Sequence, residues 1–87
     1  MLKLYGSMLC KDCVACREAY DQAGVAYEFL DFAVELTNLK EFLQLRDGCD
    51  VFSDAKDSGQ IGIPCIVKEN GDVILAWEAL LPARDQF

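Results

Sequence analysis

Apolar and polar residues alternate from Leu2 to Tyr5, and Gly6-Ser7 then releases the chain, so a short first strand is predicted over Leu2 to Gly6. The period changes to helical from Lys11 or Asp12 to Ala23, with Cys16, Tyr20 and Ala23 on one side, joined by Ala15 and Ala19. Gly24 is the natural stop. A second strand is expected over Val25 to Phe32, where Val25, Tyr27 and Phe29 alternate with polar partners. Leu36, Leu39 and Leu43, with Phe42, predict a second amphipathic helix that ends near Arg46 and is broken by Gly48-Cys49. Asp50 is placed to N-cap a short third helix, with Val51, Phe52 and Ala55 inward and Gly59 closing it. A strand follows from Ile61 to Lys68, then the turn Glu69-Asn70-Gly71-Asp72, whose Asn-Gly pair suits the positive φ angles of a tight hairpin. Val73 to Trp77 returns as the last strand. The tail from Glu78 to Phe87 has room for one or two helical turns, interrupted by Pro82.

This order, βαβ, helix, then β-hairpin, predicts an α/β fold with the first two strands parallel and the hairpin antiparallel. Eighty-seven residues make a single domain over 1–87, with 53% apolar and 26% charged residues, a globular composition. No apolar run approaches the ~20 residues of a membrane helix, and Met1-Leu2-Lys3-Leu4-Tyr5 is too short and too alternating for a secretory signal. A cytoplasmic monomer without membrane attachment is therefore expected. Net charge is −7 and the eight basic residues are scattered, so the chain lacks the basic footprint of nucleic-acid binding.

Five cysteines, an odd number, do not read as a disulfide-stapled scaffold. Three of them, Cys10, Cys13 and Cys16, fall within seven residues, which points to redox or metal chemistry. A helix that begins just after Cys10 makes that residue its N-cap, with the sulfur facing unpaired backbone N–H groups and the positive end of the dipole. Cys13 then lies one turn inside, better shielded. Cys10 is expected to attack and Cys13 to resolve. Lys11 and Asp12 place opposite charges beside the pair.

The strand Leu2-Lys3-Leu4-Tyr5, the motif Cys10-Lys11-Asp12-Cys13, and Ile63-Pro64 ahead of a later strand resemble the glutaredoxin family, in particular its small bacterial and archaeal members, across about residues 1–77. The resemblance implies a thioredoxin fold, with a four-stranded mixed sheet flanked by helices. It implies a thiol–disulfide oxidoreductase acting by dithiol exchange. It also implies a cis peptide before Pro64, beside the cysteine pair, that exposes the backbone of Ile63 for pairing with a peptide-like substrate. Lys11, Ile63 and Pro64 are the expected substrate contacts. Partners would be a disulfide-containing protein or a small-molecule disulfide. Electrons would return from glutathione, another low-molecular-weight thiol or a reductase, and no bound cofactor is expected. The chain departs from the family at four places: Lys11 stands where proline is usual, Ser7 where a glutathione-holding lysine is common, Leu75-Ala76 stand near the usual position of a Gly-Gly pair, and the C-terminal helix is truncated.

The rival reading is a metal-binding module, with zinc or an iron–sulfur cluster on Cys10, Cys13 and Cys16 and a fourth ligand such as Cys65, or a redox-sensing interaction module using the same thiols. Cys16 and Cys65 also fit core packing. Cys49 reads as an exposed loop thiol, Tyr5 as core, Trp77 with Leu80 and Leu81 as core or rim, and Arg17 and Arg46 as solvated helix charges.

Overall fold

The parallel pair β1 (Leu2–Gly6) and β2 (Tyr27–Asp31) is joined by α1 (Lys11–Ala23) in a computed structural model that describes residues 1–82. The first strand and first helix form where the alternation and the helical period predict them. α1 stops at Gly24, which adopts the left-handed conformation (φ 73°) that a side chain would oppose, and its N–H closes back on Asp21 and Tyr20. β2 is shorter than the expected Val25 to Phe32, because the N–H of Val25 is engaged by Tyr20 O at 2.9 Å in closing the helix.

α2 spans Leu36–Gly48 and continues past Arg46, so Gly48 lies inside the helix and Cys49 caps it, its N–H on Leu45 O at 3.0 Å. Asp50 is the first residue of a 3-10 turn (Asp50–Phe52) rather than an N-cap, and α3 (Ser53–Asp57) follows directly. The inward stripe of α2 is Leu39, Phe42 and Leu45. Leu36 and Leu43, expected inside, stand in solvent, as does Val51. Ala15 and Ala23 of α1 are likewise exposed, and Cys13 takes the inward place beside Cys16 and Tyr20.

The strand expected from Ile61 to Lys68 shrinks to β3 (Cys65–Val67). Gly62 turns the chain at φ 97° and the Ile63–Pro64 peptide is cis, so residues 61–64 form a loop wall instead of a ladder. β4 is Val73–Ile74, shorter than the expected Val73 to Trp77, and a 3-10 turn over Trp77–Leu80 opens the tail. In the hairpin only Gly71 has positive φ, and Asn70 instead accepts the Asp72 N–H with its side chain at 3.0 Å. The part of the expected tail helix over residues 83–87 lies outside the described residues.

The strands form one four-stranded mixed sheet in the order β2-β1-β3-β4, with β1 parallel to β2 and antiparallel to β3. Period-two alternation splits the core across its faces. Leu4 and its partner Ile66 face Cys16 and Tyr20 of α1, with Trp77, Leu80 and Leu81 at the rim. Tyr5 and its partner Cys65 face the other way, against Phe42 of α2 and Phe52 of the 3-10 turn. Phe42 contacts Phe32 and Phe52 with ring centroids 5.1 and 5.7 Å apart. The protein is thus a small α/β unit with helices on both faces of its sheet. Among the described residues, no helix is long and apolar enough to cross a membrane.

Burial pushes the thiols of Cys16 and Cys65 up to about 12 from an ordinary 9.0. In the unfolded chain they lose protons first, so the stability that depends on them is intact below about pH 9 and is lost as pH rises toward their native values. Each thiol is expected to remove up to about 1.4 kcal/mol per pH unit within that window. Urea denaturation at about pH 8 and about pH 10 should show the midpoint falling, with a flatter decline in Cys65→Ala; a midpoint that does not move contradicts the buried-thiol account.

Candidate active site

Where β1 ends, Ser7 shapes the passage into α1. Its hydroxyl accepts the Leu9 N–H at 3.1 Å and its carbonyl accepts the Cys10 N–H at 3.1 Å, a tight turn closed by a short polar side chain. Cys10 is extended (φ −95°, ψ 122°) and is the N-cap of α1. Its carbonyl accepts the Val14 N–H at 3.1 Å, and its Sγ accepts the Cys13 N–H at 3.3 Å. The thiolate-sized acceptor therefore takes the place that a serine or aspartate oxygen fills at other helix starts.

The two thiols occupy unlike surroundings. Cys10 is half-buried and lines a cleft, whereas Cys13 is fully buried one turn along. Burial, the larger effect, pushes the Cys13 thiol well above its ordinary range, against a backbone hydrogen bond from Ser7; its side-chain hydrogen bond with Cys10 pushes it further up. Gly6 supplies the room: a Cβ built there would lie 2.6 Å from Cys13 Sγ. All five cysteines are free thiols.

The cleft beside Cys10 has a volume of about 550 Å³. One wall is Ser7, Leu9, Cys10 and Asp12; the other is the run Gln60 to Pro64, with Leu75 nearby. The far wall is held from behind. Arg46 donates from Nε to Ile61 O at 2.7 Å and from Nη2 to Gln60 O at 2.8 Å, and the Gln60 N–H bonds Ala55 O at 2.8 Å. Gly62 passes so close to Phe52 that a Cβ would sit 2.8 Å from its ring. On the near wall, the guanidinium of Arg17 lies 4.2 Å from the Phe29 ring centroid and donates to Met8 Sδ at 3.0 Å and Tyr27 Oη at 3.3 Å, tethering the Ser7–Leu9 loop.

Of the residues expected at the site, Cys10, Ile63 and Pro64 meet at the cleft, with Cys13 beneath Cys10. Lys11 does not. It is exposed and absent from both walls, and its neighbour Asp12 faces the cleft instead. Successive helix residues diverge by about 100°, so only one of the two can point there. Arg17 and Arg46 are not solvated charges; both are structural donors. Arg46 falls on the inward stripe four residues after Phe42, the one sign of its role that periodicity carries. Cys49 is no exposed loop thiol but packs, half-buried, against the Phe42 cluster. Cys16 and Cys65 are buried core residues on opposite faces of the sheet. The three thiols of the metal reading accordingly do not converge: among the described residues no three His, Cys, Asp or Glu side chains are arranged to hold a metal ion. Tyr5 is core, its hydroxyl donating to Glu41 at 3.0 Å.

These features define a small α/β protein with a dithiol at a strand-to-helix junction, open to solvent at one sulfur only. The chain belongs to the same family as an uncharacterized protein of Haemophilus influenzae, with which it is 36% identical over 72 residues, 83% of this chain and 84% of that protein. No family model matches the chain, and no solved structure does.

Gly6→Ala is expected to force Cys13 Sγ out of its seat at a cost of about 1–3 kcal/mol, measurable as a lower urea midpoint. Arg46→Met should leave the fold intact but lower the opening free energy of the Gln60–Gly62 wall by about 1 kcal/mol, read as roughly fivefold faster amide exchange there.

Proposed function

We propose that the protein is a glutaredoxin-like thiol–disulfide oxidoreductase with a thioredoxin fold. The sheet order β2-β1-β3-β4, α1 following the first strand, and Pro64 facing Cys10 across the cleft support the fold. The observation that carries the function is the pairing of a cleft-facing Cys10, its Sγ met by the Cys13 N–H at 3.3 Å, with a fully buried Cys13 thiol one turn along.

In the forward direction Cys10, as thiolate, attacks one sulfur of a substrate disulfide. The Cys10–substrate bond forms, the substrate S–S bond breaks, and the first substrate sulfur leaves and takes up a proton. Cys13 then gives up its proton and attacks Cys10 Sγ. A Cys10–Cys13 disulfide forms, and the second substrate thiol departs with the proton. Two electrons pass to the substrate, and the protein is left oxidised until a dithiol, two low-molecular-weight thiols or a reductase returns them. The Cys13 N–H aimed at Cys10 Sγ is placed to hold the charge that grows on that sulfur whenever it is the leaving group. Ile63 supports strand-like capture of a peptide: among the described residues, neither its N–H nor its C=O has an intramolecular partner.

With dithiothreitol as reductant and a small neutral disulfide as substrate, Cys10→Ser is expected to fall to the uncatalysed rate. Mixed with the disulfide in the absence of dithiothreitol, Cys13→Ser should accumulate the Cys10–substrate mixed disulfide, visible as an added mass. Undiminished turnover by Cys10→Ser would refute the assignment.

A further inference from the structure

The chemistry of the cleft walls narrows the substrate class, given the oxidoreductase reading above. Among the described residues, Asp12 is the single charged one lining the cleft, and no lysine or arginine lines it. The nearby guanidinium groups are already committed, Arg46 to two backbone carbonyls and Arg17 to the Phe29 face and Met8. The rest of the lining is largely apolar, and much of it stands in water: Leu9 is 94% exposed and Ile61, on the opposite wall, 58%. Met8 adds a third exposed apolar side chain next to Leu9, at 48%. Between these rims lies the backbone of Ile63, whose N–H and C=O have no intramolecular partner among the described residues. An anionic tripeptide disulfide such as oxidised glutathione would bring carboxylates to Asp12 and find no cation among the described lining residues to receive them.

We propose that the cleft takes the disulfide of an extended polypeptide that carries an apolar residue beside its reactive cysteine and a basic residue within reach of Asp12. The apolar side chain spans Leu9 and Ile61, removing both from water. The basic side chain neutralises Asp12, and the backbone pairs with Ile63. A net charge of −7 on the whole chain acts in the same direction, drawing basic partners and repelling acidic ones at long range. The exchange is the one already written, with the peptide cysteine as the sulfur bonded to Cys10 in the mixed disulfide.

The test uses synthetic peptides whose single cysteine is in a mixed disulfide with 2-mercaptoethanol, reduced by the full chain with dithiothreitol. One peptide places leucine and arginine beside the cysteine, a second exchanges arginine for glutamate, a third exchanges leucine for serine, and oxidised glutathione is the fourth substrate. The leucine–arginine peptide should show kcat/KM about tenfold above each of the other three. Asp12→Asn should shrink the arginine-over-glutamate ratio to about twofold while keeping the leucine-over-serine ratio, and Leu9→Ser should do the reverse. Ratios cancel any effect of either change on Cys10 itself. Equal rates across the peptides, or oxidised glutathione reduced as fast as the best of them, overturn this specificity and leave the oxidoreductase reading standing. Reduction of none of the four overturns both.

Discussion

Room for one sulfur atom at the end of β1 governs the arrangement of the rest of the site. Cys13 Sγ lies where the Cβ of any residue other than glycine at position 6 would stand, 2.6 Å away. Seating that sulfur against the strand fixes the first turn of α1 on the sheet, with Cys16 and Tyr20 following inward on the same side. The residue that begins the helix is then obliged to sit at the edge, where its sulfur takes the Cys13 N–H and meets the cleft. Two cysteines three residues apart thereby acquire opposite characters from one packing constraint. Cys13 is desolvated and held protonated, and Cys10 is reachable.

The opposite wall of the cleft has its own support, on the other face of the sheet. Phe42, Phe52, Tyr5 and Cys65 make a second core cluster, and from its edge Arg46 reaches Gln60 O and Ile61 O while Phe52 presses on Gly62. β1 and β3 are paired directly through Tyr5 and Cys65, so the strand that ends at Gly6 and the strand that follows Pro64 are neighbours in one ladder. The distance across the cleft is therefore set by the sheet. The loops on either side are tethered separately, one by Arg17 and one by Arg46.

The elements legible in the sequence were those whose determinants are local. Alternation over Leu2 to Tyr5, the helical period ending at Gly24, and the position of Cys10 at a helix start depend on neighbours a few residues away, and β1 and α1 form accordingly. The strand expected from Ile61 fails because Gly62 and the Arg46 contacts hold residues 60–62 off the ladder, and those contacts come from a helix 14 and 15 residues earlier. Leu36 and Leu43 look inward on a helical wheel drawn around Leu39, but Phe42 is the fully buried residue of α2, and Leu39 and Leu45 pack with it instead. Lys11 and Asp12 are adjacent in the motif, and no spacing rule distinguishes which of them the cleft receives. That choice depends on where the helix axis lies, which Gly6 and Cys13 decide.

Unlike burial also gives the proposed exchange a direction. A thiol that is neutral and enclosed is a poor nucleophile toward disulfides arriving from solution, both because little of it is ionised and because a bulky disulfide cannot approach it. Such a thiol can still attack a sulfur held beside it, and Cys10 Sγ, which takes the Cys13 N–H, is so held. The order of events proposed, external attack by Cys10 and internal resolution by Cys13, then follows from the burial of Cys13, which limits both its access and its ionisation. In the proposed scheme the cleft lining, without a cation among the described residues, acts at the earlier step, on which disulfide reaches Cys10. Selection of the partner and resolution of the intermediate are thus assigned to different residues, Asp12, Leu9 and Ile61 for the first and Cys13 for the second, so each can vary without disturbing the other.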